Sequence, residues 1–335
     1  MSTLMPTLSI NNDPRCTQFK QQGFTLLELV LVMLIIGLIA STPLAFIDNQ
    51  DNQLRYDETV AKMKLIKRAV YNQSTYQNQP LLSGFVVDNG VLPPTSGTPS
   101  QDPSELFPLI GKNDVWNLDG ANDWGTFGGI KPYLKLTGAG DFEVPPRYTQ
   151  LKGYRGPYLQ EGVDSDGAFL DGWGVGFEVS STAVGDYRFT YTGDDGLHPA
   201  PFNTLVSGAV SSLDWQVPLS QLNINVTNYK LTAQEVAIAV FQNKAASDDE
   251  RWTTYYFSIA AVASGGAPSI ERTLTFSSSE WQKKGVGSIS NPETTYIPAG
   301  VHPVFVVGST KTVNAYDRLL VIPRSTQPAL QLEVK

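Results

Sequence analysis

The stretch FTLLELVLVMLIIGLIASTPLAFI, Phe24 to Ile47, holds one charged residue, Glu28. From Leu29 to Ile47 there are 19 uncharged positions, enough as a helix to cross about 30 Å of hydrocarbon. A secretory signal would be a shorter apolar run closed by a small-residue cleavage site. Here the polar leader MSTLMPTLSINNDPRCTQFKQQG comes first, and no A-x-A-like site closes the run. Arg15 and Lys20 precede the helix and favour a cytoplasmic amino terminus with the rest of the chain outside. A carboxylate in a membrane helix costs roughly 2.5–3.5 kcal/mol at the bilayer centre and less near the interface, so Glu28 calls for a partner. It also suits the positive end of the helix dipole. Pro43 predicts a kink or a local melt.

Gly23-Phe24-Thr25-Leu26-Leu27-Glu28, directly before the apolar run, resembles the prepilin peptidase site of type IV pilins and type II secretion pseudopilins. The resemblance implies cleavage between Gly23 and Phe24, N-methylation of Phe24, and a fifth mature residue at Glu28 that meets the amine of an adjacent subunit and sets filament register. It also implies self-association and contact with other pseudopilins through the N-terminal helix, together with a prepilin peptidase and an inner-membrane assembly platform as partners.

Beyond Ile47 the pattern becomes amphipathic. Tyr56, Val60, Met63, Ile66 or Lys67, and Val70 recur at helical spacing, which predicts a stem that packs one face against a globular head. Residues 74–150 are rich in Gly, Pro, Asn and Asp and read as loops with one short helix near SELFPLI, capped by Asp102 or Ser104. Trp116 and Trp124 lie in a turn region and read as buried aromatics or, less simply, as sugar-binding ones.

A second resemblance begins near Arg155. Gly156-Pro157-Tyr158-Leu159, Asp171-Gly172-Trp173-Gly174 and Gly193-Asp194-Asp195-Gly196 follow the order of the major pseudopilin head. In that family the last loop binds calcium, so Asp194 and Asp195 are candidate Ca²⁺ ligands. Calcium needs six to eight oxygens, and the family's further acidic pair is missing, with Asp214 the next carboxylate. Asp164-Ser165-Asp166-Gly167 begins like an EF-hand, but Val175 stands where the bidentate Glu belongs. Turn capping by Asp side chains explains the same residues without an ion.

From about residue 216 the chain reads as strands at 235–241, 253–262, 272–276, 301–307, 318–323 and 330–334. Leu330, Leu332 and Val334 alternate with Gln331 and Glu333. Their spacing predicts an antiparallel β-sandwich of about 120 residues.

Composition excludes much else. The net charge of −8 argues against a nucleic-acid partner. The single cysteine, Cys16, lies in the leader, and His198 and His302 are too far apart in sequence for a paired-His metal motif. Gly172-x-Gly174-x-Gly176 is no dinucleotide loop, Gly111-Lys112 is no P-loop, and a Ser-His-Asp triad is not expected. The expectation is a non-enzymatic α+β chain: leader 1–23, transmembrane and stem helix 24–75, a pilin-like head with a small antiparallel sheet at 76–210, and a sandwich at 211–335. It is read as a filament subunit of the bacterial inner membrane, with its head periplasmic or extracellular and no cofactor beyond the candidate calcium. The rival reading is a membrane-anchored protein whose sandwich recognises a carbohydrate or a protein.

Overall fold

The computed structural model describes residues 25–95, 106–110, 134–135, 138–139, 142–148, 150–163, 168–183, 185–190, 198–202, 207–243, 251–263, 269–275, 282–283, 287–288, 295–327 and 329–335. Side chains at 40–49, 107–108, 134–135, 138–139, 272, 274–275 and 287–288 fall outside that description. The chain divides into two units, residues 1–51 and 52–335.

Helix α1 (Leu26–Val70) has Glu28 in its first turn and Lys67 and Arg68 in its last, the arrangement a helix dipole favours. It runs unbroken past position 43, so no melt interrupts it there. Among the described residues no helix is long and apolar enough to cross a membrane. The apolar run 29–47 behind that expectation includes 40–47, whose side chains lie outside the description.

In the second unit, α1 buries Thr59, Met63, Ile66, Ala69 and Val70. The predicted stripe holds at Met63, Ile66 and Val70, whereas Tyr56 and Val60 are only half-buried and Lys67 is exposed. The face is rotated because Thr59, a polar residue, takes a fully buried position. Its hydroxyl donates to the Arg55 carbonyl at 2.9 Å and accepts from the Gly172 N–H at 2.9 Å, so burial leaves nothing unpaired.

After α1 the chain forms a hairpin of β1 (Asn72–Tyr76) and β2 (Gln79–Ser83). Its two turn residues, Gln77 and Asn78, both have positive φ, as a tight hairpin turn demands. The short helices α2 (Phe85–Asn89) and α3 (Phe107–Ile110) follow. Asp102 and Ser104, the expected caps of α3, lie outside the described residues. The two-residue strands β3 (Leu134–Lys135), β4 (Gly138–Ala139), β5 (Phe142–Glu143) and β6 (Leu151–Lys152) lead to an antiparallel sheet of β7 (Glu178–Ser181), β8 (Tyr187–Thr190) and β9 (Ser207–Val210). Tyr187, Phe189 and Val210 from that sheet meet Met63, Ile66 and Val70 of α1 in one buried cluster.

Helix α4 (Ser212–Trp215) starts with a capping box between Ser211 and Asp214. Beyond it come β10 (Gln216–Pro218), β11 (Asn223–Asn228), β12 (Gln234–Phe241), β13 (Trp252–Ile259), β14 (Ile270–Thr275), β15 (Gln282–Lys283), β16 (Gly287–Ser288), β17 (Tyr296–Pro298), β18 (Gly300–Gly308), β19 (Val313–Val321) and β20 (Leu330–Val334). They build a six-stranded sheet in the order β16-β15-β13-β12-β18-β19 and a three-stranded sheet in the order β14-β11-β20. Ile224, Val226, Leu332 and Val334 of the smaller sheet share a core with Val236, Ile238, Val304 and Val306 of the larger one. The expected all-antiparallel pairing is corrected at one ladder: β11 and β20 run parallel, Ile224 opposite Leu330.

Strands β12 and β18 read as nearly continuous apolar runs because both their faces are covered. Ala237, Ala239, Phe305 and Val307 point away from the shared core, into a cluster with Phe142 and Val144. The C-terminal sheets are tied to the segment around α2. The Asn243 N–H donates to the Asn89 carbonyl at 2.7 Å, and its side-chain amide donates to Asn89 Oδ1 at 2.9 Å. At Gly90, with φ +65°, a Cβ would fall 1.9 Å from the Phe241 carbonyl oxygen, so only glycine lets the two segments approach.

Candidate functional site

The start of α1 is set by its own residues. Thr25 is the N-cap: its hydroxyl accepts the Glu28 N–H at 3.3 Å, and its carbonyl accepts the Leu29 N–H at 3.2 Å. Thr-x-x-Glu is the capping-box pattern, so Glu28 occupies the third helical position, where the dipole favours a carboxylate. Every residue from Thr25 to Ile39 is exposed, including Leu26 at 83 % and Leu27 at 80 %. A helix apolar on all sides requires an apolar environment around its whole circumference. Gly23 and Phe24, the expected processing positions, lie outside the described residues.

The predicted head motifs form two anchors. In the first, Asp171 opens the turn Asp171-Gly172-Trp173-Gly174 and is almost fully buried. Its Oδ1 accepts the N–H groups of Trp173 and Val175, each at 2.8 Å. Its Oδ2 meets His198 Nε2 at 2.7 Å, with both side chains sealed from solvent. The indole of Trp173 packs on the His198 ring at 4.7 Å and on Phe202 at 6.1 Å, and Phe202 reaches Tyr56 of α1 at 5.6 Å. Gly172 lies against α1 so closely that a Cβ would stand 2.1 Å from the Arg55 carbonyl oxygen. One turn thus joins α1 to the segment 198–202 by a carboxylate, a glycine and a stack of rings.

The second anchor is Tyr158 of the Gly-Pro-Tyr-Leu segment. The N–H groups of Tyr158 and Leu159 both donate to the Leu109 carbonyl, at 2.8 and 2.9 Å. The Tyr158 hydroxyl donates to Asp88 Oδ2 at 3.0 Å and accepts from the Arg155 N–H at 3.1 Å. Burial raises the Asp88 carboxyl, opposed by the Arg155 guanidinium, the Tyr158 hydroxyl and Lys152; burial likewise raises the Tyr158 phenol. Lys152 is buried, donates to the Val87 carbonyl at 2.9 Å, and is pushed down to about 8 by loss of solvent. His302 donates from Nε2 to the Pro298 carbonyl at 2.8 Å and is held neutral, down to about 3, by burial and by nearby Lys152.

Asp194 and Asp195, the calcium candidates, and Asp164-Ser165-Asp166-Gly167 lie outside the described residues, as do Trp116 and Trp124. Among the described residues no group of three or more His, Cys, Asp or Glu is placed to hold a metal. Asp214, the next carboxylate along the chain, is occupied: it caps α4 and pairs with Arg324 at 2.6 Å. The Asp171–His198 pair is not legible in the sequence: Asp171 reads as part of a turn motif, and the two histidines enter only to set aside a paired-His metal motif and a Ser-His-Asp triad. A D-x-W-G turn marks the acceptor, but nothing local marks a partner 27 positions away.

Residues 18–42 match the family model described as the prokaryotic N-terminal methylation motif. The match supports a type IV pilin-like precursor and leaves residues 43–335 without a family assignment. No curated protein and no solved structure matches the chain.

Proposed function

We propose that this chain is a filament subunit of the type IV pilin class, built into a type II secretion-type pseudopilus or a type IV pilus. The observation that carries the reading is the methylation motif at 18–42 leading into a helix whose described apolar residues are exposed on every side. Such a helix is stable in hydrocarbon as a precursor and among like helices once assembled. A prepilin peptidase cuts between Gly23 and Phe24, and Phe24 is methylated. Glu28, already at the helix start, takes the new amine of a neighbouring copy and sets its register. The chain sits in the bacterial inner membrane with its N-terminus cytoplasmic, and an inner-membrane platform and other pseudopilins complete the assembly.

The work done is mechanical rather than catalytic. The head motifs around Tyr158 and Asp171 favour the secretion-type system, and Asp194 and Asp195 are the positions for calcium if the loop binds it. Intact mass and N-terminal sequencing of the chain from membranes, with and without the peptidase, test the reading. Loss of residues 1–23 with a methyl group on Phe24 is expected. An uncut chain beside an active peptidase refutes it and leaves a membrane-anchored binding protein as the better account.

A further inference from the structure

Lys64, Lys67 and Arg68, on the last two turns of α1, border a cleft of about 330 Å³ whose far wall is the turn Pro323-Arg324 after β19. Arg324 holds a left-handed backbone, φ +57°, and its guanidinium reaches Asp214 Oδ1 at 2.6 Å; Lys67 reaches Oδ2 at 3.7 Å. Among the described residues that line the cleft, Asp214 is the one carboxylate beside the cations Lys64, Lys67, Arg68 and Arg324. It engages Lys67 and Arg324, so the lining carries a positive surplus in a chain whose net charge is −8. Charge of this sign selects an acidic partner.

The helix itself offers one. Asp57 lies seven residues before Lys64 and eleven before Arg68, two and three helical turns, so all three share the face opposite Thr59, Met63, Ile66 and Val70. Asp57 is exposed there and accepts a hydrogen bond from Gln53 Nε2 at 3.0 Å, while the neighbouring, exposed Glu58 pairs with Lys62 at 2.7 Å, so Asp57 carries the uncompensated charge. Two parallel copies in register would set like charges side by side. Sliding one copy along the other by seven to eleven residues, about 10–17 Å at the helical rise, sets Asp57 of one against Lys64 and Arg68 of the next.

We propose that the cleft between the end of α1 and the Pro323-Arg324 turn receives the acidic turn Asp57-Glu58 of a second copy, so that the C-terminal sheet region supplies one wall of the subunit contact. This rests on the filament reading, which requires parallel, staggered copies.

The test mixes isotope-labelled and unlabelled full-length chains in membranes that carry the peptidase and assembly system. A carbodiimide then joins touching carboxylates and amines without a spacer. Mixed-label peptides joining Asp57 or Glu58 to Lys64 or Lys67 are expected. Arg68→Glu should lower their yield about fivefold or more, since repulsion replaces attraction. Asp57→Lys combined with Arg68→Glu should create a new mixed-label link, between positions 57 and 68, that the parent cannot form. Near-ultraviolet circular dichroism of Arg68→Glu matching the parent shows that the single variant folds. Mixed-label oligomers linked only elsewhere, or links confined to single chains, overturn this docking and leave the filament reading standing. A chain that forms no oligomers at all overturns both.

Discussion

Replacing Gly172 by alanine probes the contact between α1 and the Asp171 turn at its tightest point. The added Cβ would stand 2.1 Å from the Arg55 carbonyl oxygen, with the Arg55 carbonyl carbon and Cα at 2.7 Å. All three are helix backbone and cannot swing aside, so the turn must retreat by about 1.3 Å or more to reach ordinary van der Waals separation. Retreat stretches the Gly172 N–H bond to Thr59 and leaves a half-buried donor short of its acceptor, about 1–3 kcal/mol. Overpacking adds about 1–3 kcal/mol, and the stiffer unfolded chain returns about 0.4–1 kcal/mol. The terms sum to about 1–5 kcal/mol, centred on about 3 kcal/mol, which at the centre is roughly 6–12 °C in Tm for a unit of this size. Gly174 is the control: its φ is +84° and nothing stands within 4 Å of a Cβ there, so Gly174→Ala carries only the backbone strain, about 1–2 kcal/mol. Thermal unfolding followed by near-ultraviolet circular dichroism, on the full chain in detergent, reads both. If Gly172→Ala melts within about 2 °C of the parent, or if Gly174→Ala costs more, the close approach described here is wrong.

Three further outcomes follow from the same geometry. Lys152 takes its proton near 10.5 when unfolded and near 8 when folded, so the unfolded chain holds the extra proton between those values. Stability should therefore rise by about 3 kcal/mol from pH 8 to pH 10.5; denaturant midpoints across that range should climb in the parent and flatten in Lys152→Met. Asp171→Ala removes the acceptor of two N–H groups and the partner of His198, and should cost about 3–5 kcal/mol in urea titration, with Asp171→Asn retaining part of it through Oδ1. Glu28→Ala should lose only about 0.3–1 kcal/mol of helix-end stabilisation. On the proposed function it should still be cut after Gly23 while sheared filaments disappear, and filaments at parental yield would remove Glu28 from the assembly step.

The readable parts of this chain are those whose signal is local. Thr25 to Glu28 is legible because the Gly23–Glu28 motif leads directly into a charge-free run, and the methylation motif spans the same residues. Strands β12 and β18 are legible because burial on both faces makes their sequences apolar throughout. What stays hidden is pairing at a distance. Ile224 and Val226 alternate with polar residues as any half-buried strand does, and nothing near them names β20 as their parallel neighbour. Thr59 misleads in the opposite sense: a hydroxyl reads as surface until a carbonyl one turn back and an N–H from residue 172 satisfy it. The same line divides the helix start from the head: the place of Glu28 in the first turn of α1 follows from its neighbours, whereas the Asp171–His198 pair is found only in three dimensions.

The parallel ladder of β11 and β20 also imposes a timetable. Ile224 and Val226 emerge from the ribosome about a hundred residues before Leu332 and Val334, which pack in the same core. Until that late strand arrives, β11 has a hydrogen-bonding partner on only one side and an apolar row open on the other. Closing so long a loop is slow relative to the hairpins β12–β13 and β18–β19, which form from neighbouring sequence. A chain threaded across a membrane residue by residue would therefore present its larger sheet early and seal it last, and for that interval its exposed strand is the segment most open to a holding chaperone or to aggregation.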